Sequence, residues 1–297
     1  METVKSHLIE KTKLLKDNLI DLPRLEARLL LAKALNKDLN WTYVNLEKKI
    51  SKKKISKYEI LIKKKLKKFP TAYLLGNKEF FSMNFKVNEN TLIPRPETET
   101  IIEEIKKNFK NKKKLLVLDL GTGSGCILLS ILKEFKNAVG IGIDKHLETV
   151  KIARINSKKN NLSKRSKFFK LDWRQKGFFK KVLKINKKFS GNEKFNLVVS
   201  NPPYLLKNEM KNLVPEVTYE PKDSLYDNKD GLSFYKTVLP EIDSLVSENS
   251  YIYFEINPEN RRNIAKICKN NNLRNIYYIK DLSGKIRFIL IKKLINS

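Results

Sequence analysis

Leu118-Asp119-Leu120-Gly121-Thr122-Gly123-Ser124-Gly125 is the stretch on which the reading of this chain turns. Leu115 to Leu120 is a short apolar run closed by glycine, the pattern of a buried strand. Three of the chain's ten glycines then fall within five residues. Glycine lets the backbone turn sharply and approach a ligand closely, and the helix expected from Ile127 to Phe135 offers its amino end. Asp144 ends a second strand, Val139 to Ile143, and stands 21 residues after Gly123. An acid at that distance can accept hydrogen bonds from both hydroxyls of an adenosyl ribose. Two cofactor classes fit this layout. A dinucleotide fingerprint wants a last glycine where this chain has Cys126. S-adenosylmethionine has no pyrophosphate to seat, so a compact Gly-x-Gly-x-Gly loop can press against its amino-acid and ribose portions. A tight turn without a ligand is the plain alternative.

From about residue 112 strand and helix alternate. Further strands are expected at Phe168 to Leu171, Phe195 to Val199, Tyr251 to Ile256, Asn275 to Lys280 and Arg287 to Ile291. Helices are expected from Leu147 to Ile155 and from about 233 and 259. Seven strands in this rhythm predict an α/β fold with a mostly parallel, doubly wound sheet, the last two strands forming an antiparallel edge pair. In such sheets ligands sit beyond the carboxyl ends of the strands. The first 70 residues read instead as helices. Leu25, Leu29, Leu30, Ala32 and Leu35 recur at helical spacing after Pro23, and Ile50, Ile55, Tyr58, Ile62, Leu66 and Phe69 form a second stripe stopped at Pro70. Phe80, Phe81, Phe85 and Val87 suggest a β-hairpin between the two parts. The expected organisation is a helical bundle over 1–76, a hairpin over 77–93 and an α/β domain over 94–297.

The chain has 297 residues, 62 of them Lys or Arg against 32 Asp or Glu, a formal charge of +30. That much charge attracts phosphate wherever it clusters. Yet 52 of the basic residues are Lys, and Lys, Asn and Ile share A/T-rich codons, so genome composition accounts for much of it. Lys48 to Lys68 holds eleven lysines and one acid, Glu59. It reads either as the solvated face of an amphipathic helix or as a surface that docks a partner. Lys180 to Lys194 reads as a Lys-rich surface insertion. At 41% hydrophobic and 9% aromatic residues the composition is globular. No apolar run approaches the roughly 20 residues that cross a bilayer, and Met1 to Asp17 has the pattern of neither a signal nor a transit peptide. Two cysteines and two histidines are too few for a zinc site. A reduced, cytoplasmic, metal-free protein is expected.

Two further stretches carry chemistry. Leu171-Asp172-Trp173 follows the third strand, where an acid can meet an adenine amine and an indole can cover the ring. Trp173 as a plain core residue is the alternative. After the fourth strand comes Asn201-Pro202-Pro203-Tyr204. Two prolines fix the backbone and end the ladder. Methylation of a planar nitrogen needs such a turn, a Pro-Pro turn without chemistry being the plain alternative. The Asn201 side-chain oxygen and the Pro202 carbonyl can each accept one N–H, aiming the nitrogen and favouring the charge that develops on it. Tyr204 can lie against the flat face of the substrate. No strong base is required, because the proton can leave after transfer.

Over nearly its whole length the chain resembles the peptide chain release factor glutamine methyltransferases, the PrmC/HemK family. The residues that carry the resemblance are Pro70, Tyr73 to Gly76, Glu79-Phe80 and Leu92 to Glu99. They continue with Leu118 to Ile127, Gly142 to Asp144, Asp172-Trp173, Val199 to Tyr204 and Tyr219-Glu220-Pro221. Asp230 to Leu232, Phe234-Tyr235, Asp281 to Gly284 and Arg287 complete the set. The Pro94 to Glu99 run is the most selective of these. The resemblance implies a class I methyltransferase fold, S-adenosylmethionine as donor, and the glutamine of the Gly-Gly-Gln motif of class I release factors as acceptor. It implies that Gly121, Thr122, Gly123, Ser124, Gly125, Asp144, Trp173 and Asn201 line the cofactor site, and that Asn201, Pro202, Pro203 and Tyr204 form the glutamine site. Arg95 and Glu97 would shape the same pocket, a structural ion pair being the alternative. It further implies a helical module that helps hold the release factor, with nucleic-acid binding not required. Glu255-Ile256-Asn257-Pro258-Glu259-Asn260 departs from the family's usual Gly- and Gln-containing segment. Two other functions use the same features. An exocyclic-amine methyltransferase of DNA or RNA would share the tetrapeptide, and a non-catalytic RNA-binding protein would rely on charge alone.

Overall fold

Among the described residues nine strands carry the frame: β1 (Asn77–Phe80), β2 (Met83–Lys86), β3 (Leu116–Leu120), β4 (Val139–Asp144), β5 (Ser166–Lys170), β6 (Phe195–Ser200), β7 (Val246–Glu255), β8 (Ile276–Lys280) and β9 (Ile286–Lys293). The structure, a computed structural model, describes residues 3–109, 114–227 and 229–294. The chain's two ends and the expected starting point near residue 112 lie outside the described residues.

β3 to β9 form one seven-stranded sheet in the order β5-β4-β3-β6-β7-β9-β8. Within this sheet the path begins at β3, runs outward through β4 and β5, then crosses back to β6 and β7. All pairs among these five are parallel. β9 inserts antiparallel between β7 and β8. This is the class I methyltransferase fold. β3 reads Leu-Val-Leu-Asp-Leu with every residue buried, as expected of a strand covered on both faces. Alternation divides its side chains between two cores. Leu116, Leu118 and Leu120 face Ile141, Ile143, Phe234 and Tyr235. Val117 faces Ile127, Leu128 and Tyr253 on the other side. Each such aliphatic side chain contributes about 1.5–3 kcal/mol by leaving water.

Register sets the site. Leu120 pairs with Ile143 and with Ser200, and Ser200 pairs with Phe254. The carboxyl ends of β3, β4, β6 and β7 are therefore level, and the loops that follow them emerge side by side at the point where strand order reverses.

One expectation is overturned here. Lys180 to Lys194 is not a surface insertion. Phe178–Ser190 is a helix of the fold, with Phe178, Val182 and Asn186 buried against the sheet. The lysines occupy its outer face and mask the apolar stripe in a reading by composition.

The chain divides into two units, Met1–Lys78 with Leu213–Tyr219, and Glu79–Asn212 with Glu220–Ser297. The division falls inside β1, whose hairpin partner is β2. In the first unit the helices Val4–Asp17, Pro23–Leu35 and Lys52–Leu66 share a core of Leu8, Leu15, Leu30, Leu31, Tyr58 and Ile62. The Tyr58 hydroxyl donates to the Ala27 carbonyl at 2.9 Å. Lys52–Leu66 is mostly a solvated face, but Lys65 is buried. Its Nζ reaches Glu216 at 2.7 Å, Thr71 at 2.8 Å and Glu26 at 3.5 Å, all within this unit. Among the described residues no helix is long and apolar enough to cross a membrane, and no cluster of His, Cys, Asp or Glu could hold a metal ion.

Candidate active site

The loop after β3 is built to leave space. Gly121, Gly123 and Gly125 have φ of +73°, +56° and +82°. A side chain at these angles is strained, which fixes glycine there. The Gly121 and Thr122 amides both donate to the Ile143 carbonyl, at 2.8 and 2.9 Å, tying the loop to the end of β4. A Cβ on Gly123 would meet nothing within 4 Å, so this backbone opens onto free volume. A Cβ on Gly125 would press on Leu129, Phe168 and Ala153 at 3.2–3.4 Å. Gly125 thus serves packing at the start of the helix Cys126–Glu134.

Asp144 is positioned by backbone. Its Oδ2 accepts from the Gly123 amide at 3.2 Å and its Oδ1 from the His146 amide at 3.1 Å. Burial pushes its pKa up, and these two amides pull it back. Each oxygen keeps a lone pair, which suits two hydroxyl donors. Asp119 lies deeper, fully buried. Its Oδ2 accepts from the Thr122 hydroxyl at 2.7 Å, while Oδ1 has no hydrogen-bond partner among the described residues. Burial pushes its pKa up to about 7 against the pull of the Thr122 hydroxyl and the Leu128 amide.

Gly121, Gly123, Asp144, Lys145, His146, Trp173, Asn201, Pro203, Leu92, Asp223 and Ser224 line one pocket. The Trp173 ring stands edge-on to Phe234, centroids 5.3 Å apart at 90°. The Asp172 carboxylate is taken by Arg174, whose NH2 group lies 2.6 Å from it, so it is not free for an adenine amine. Across the pocket mouth Asp223 accepts from Lys145 Nζ at 2.7 Å and meets His146 Nε2 at 3.2 Å.

After β6 the Ser200 hydroxyl donates to the Leu120 carbonyl at 2.6 Å, locking the two strand ends together. Asn201 and Pro203 then enter the pocket and Pro202 is buried beneath them. The Tyr204 hydroxyl donates to Glu255 Oε1 at 3.3 Å. Burial pushes the phenol well up from its ordinary value. The Arg95 guanidinium lies 2.6 Å from Glu220, whose other oxygen accepts from the Ile93 amide at 2.9 Å. That pair fixes the Pro94–Glu99 run.

The sequence of the chain matches two known domain families, the PrmC N-terminal domain over residues 8–76 and a methyltransferase domain over residues 111–293. It is 32% identical over 291 residues to the release factor glutamine methyltransferase of Clostridium botulinum, covering 98% of this chain and 99% of that one. The chain belongs to the release factor glutamine methyltransferase family. The enzyme of that name from Fusobacterium nucleatum is 31% identical, the match covering 95% of this chain and 77% of that protein. A bifunctional methyltransferase of Rickettsia conorii matches at 31% over 98% of this chain but only 58% of its own length. Among solved structures, the catalytic domain of human METTL16 bound to an RNA hairpin superposes with a TM-score of 0.55 at 13% identity, over 73% of this chain and 77% of that one. That likeness is one of fold.

Of the residues that this family resemblance singles out, Gly121, Gly123, Asp144, Trp173, Asn201 and Pro203 meet at the pocket. Thr122 and Ser124 are buried under it. Thr122 binds Asp119, and the Ser124 carbonyl accepts from Asn156 at 2.8 Å. Arg95 is the ion-pair partner of Glu220 rather than a lining residue. Sequence reasoning gave no role to Asp119, Glu220 or Glu255, and it missed Asp223. Asp119 had a signal, a lone acid inside an apolar strand. The other three lie in loops or at a strand end whose neighbours are set by tertiary structure.

Proposed function

We propose that this protein, an S-adenosylmethionine-dependent protein-glutamine N-methyltransferase, methylates the side-chain amide nitrogen of the glutamine in the Gly-Gly-Gln motif of class I release factors, supporting translation termination. One observation carries the reading. The Asn201–Tyr204 turn leaves β6 level with the glycine loop of β3, so an amide held by the turn lies beside whatever the loop holds.

The residues present fit S-adenosylmethionine. Asp144 has two oxygens for a ribose diol, Gly121 and Gly123 leave room at the backbone, and Trp173 offers an apolar wall. Asp119 Oδ1 is an unmatched buried acceptor beneath the loop, suited to a cationic donor. When bound, the cofactor supplies an electrophilic methyl group. The protein's own part is orientation. The Asn201 side-chain oxygen and Pro202 carbonyl accept the two N–H groups of the glutamine amide, turning its lone pair toward the donor side of the pocket. Both acceptors stabilise the positive charge that grows on nitrogen, and they are already in place before reaction. Pro202 and Pro203 stiffen the turn. No side-chain base is needed, since the methylated amide is a strong acid and gives its proton to water.

In this reading the helical bundle over 1–76 helps hold the release factor, the hairpin over 77–93 connects it, and 94–297 performs the transfer in the cytoplasm, without a metal. Purified release factor, RNA and DNA are offered together with labelled S-adenosylmethionine. Label on the release factor, lost when its Gly-Gly-Gln glutamine is changed to alanine, supports the proposal. Label on nucleic acid instead would favour an exocyclic-amine methyltransferase.

A further inference from the structure

Several stretches that methyl transfer itself leaves unused meet behind Tyr204. Glu255 ends β7, one residue past the Ser200–Phe254 pair, and is 4% exposed. Its Oε1 accepts from the Tyr204 hydroxyl at 3.3 Å and its Oε2 from the Thr98 hydroxyl at 2.9 Å. Its backbone carbonyl accepts from the Tyr235 hydroxyl at 2.5 Å. Arg287 of β9 faces the carboxylate, with its Nε on Asp281 at 2.9 Å, and Glu97 faces it with like charge. A single buried acid thus joins β7, the turn Pro96–Thr98 and the catalytic turn.

Burying a carboxylate is expensive, and an apolar residue at such a place would serve packing better. Burial pushes this carboxyl up to about 7 even with Thr98, Arg287 and Tyr204 drawing it down. What the carboxylate does that an apolar group cannot is to fix a phenol by its hydroxyl. Tyr204 is three residues from Asn201, and two prolines lie between them, so the orientation of one end of the turn constrains the other.

We propose that Glu255 is a positioning residue for the amide methylation, holding the Tyr204 hydroxyl and through it the Asn201–Tyr204 turn in the orientation that receives the acceptor glutamine. The proposal rests on the methyl-transfer reading above. Glu255 touches neither acceptor nor donor, and it acts only through Tyr204.

The test is a double-mutant cycle on the full chain, with E255Q, Y204F and the double variant. Release-factor methylation is followed at steady state, and S-adenosylmethionine binding by calorimetry. Each single variant should lose about ten-fold or more in kcat with cofactor affinity within about two-fold of the parent. The double variant should fall no more than about two-fold below the weaker single one. Losses that multiply to about a hundred-fold, or an E255Q with the parent's kcat, would overturn the assignment. If E255Q does not fold, T98A takes its place, because it removes the other hydrogen bond that orients Glu255. T98A should lower kcat in the parent and not in Y204F, and equal losses in both backgrounds would overturn the assignment. A parent protein that leaves the release factor unmethylated refutes the methyl-transfer reading itself and this proposal with it. Multiplying losses beside an active parent refute only the role of Glu255.

Discussion

Changing Asp119 to asparagine should stabilise the cofactor-free protein above pH 7 while weakening its hold on S-adenosylmethionine. The side chain is fully buried, satisfied on Oδ2 by Thr122 and unmatched on Oδ1. Its pKa is raised by burial to about 7, against about 3.9 in an unfolded chain. The folded state therefore binds the extra proton between roughly pH 4 and 7, and stability falls as pH rises through that window. That difference corresponds to a penalty of at most about 4 kcal/mol, fully present above pH 7, of which about 1–2 kcal/mol is already present at pH 5. Asparagine does not titrate. Its amide can still accept from Thr122, but its NH2 group takes the unmatched place at a cost of about 1–3 kcal/mol that does not vary with pH. The stability difference between variant and parent should therefore shift in the variant's favour by about 2–3 kcal/mol from pH 5 to pH 8. Urea unfolding at those two pH values, at fixed ionic strength and without cofactor, measures it. A difference independent of pH would refute the buried, titrating carboxyl. In the same variant the cofactor should bind about 10- to 100-fold more weakly, the loss expected for one hydrogen bond to a charged group.

The other predictions concern the turn, the sheet and the helical unit. Asn201→Ala should cost about 10²- to 10³-fold in turnover with cofactor binding affected less, by analogy with the loss of one transition-state hydrogen bond. An unchanged rate means that the amide is not clamped there. Gly142→Ala places a Cβ 2.5 Å from the Phe168 ring and 2.7 Å from Thr122 Oγ1. It should destabilise by about 1–3 kcal/mol through overpacking, and a melting temperature equal to the parent's contradicts the packing. Tyr58→Phe removes the hydroxyl that donates to the buried Ala27 carbonyl, which should cost about 1 kcal/mol in thermal unfolding of the helical unit.

Much of this molecule is legible in its sequence because the strands that carry the site are short, mostly apolar and each closed by a residue with a chemical task. Glycine after β3, Asp144 at the end of β4 and Asn201 after β6 can be placed at one edge of a sheet without any knowledge of contacts. What is hidden depends on neighbours distant in sequence. The helix Phe178–Ser190 looks like an insertion because its five lysines dominate a reading by composition and mask the apolar stripe of Phe178, Val182, Leu183 and Phe189 that packs on the core. The hairpin turn Phe81-Ser82 has φ of +48° and +53° at both residues with no glycine or asparagine to announce it. Glu255 stands at the head of a segment that looks like a departure from family pattern. Its importance appears only when Thr98 and Tyr204, 157 and 51 residues away, are seen to converge on it. The charge of +30 misleads for the opposite reason. It is spread over solvated faces, while the pocket is built chiefly from glycine, acids, proline, asparagine and tryptophan.

Mass spectrometry of a class I release factor incubated with this protein and S-adenosylmethionine tests the central claim most directly. The account predicts one added methyl group on the peptide that contains Gly-Gly-Gln, located at its glutamine by fragmentation and absent with Asn201→Ala under the same brief incubation. An unmodified glutamine, or a methyl group elsewhere on the release factor, would contradict it.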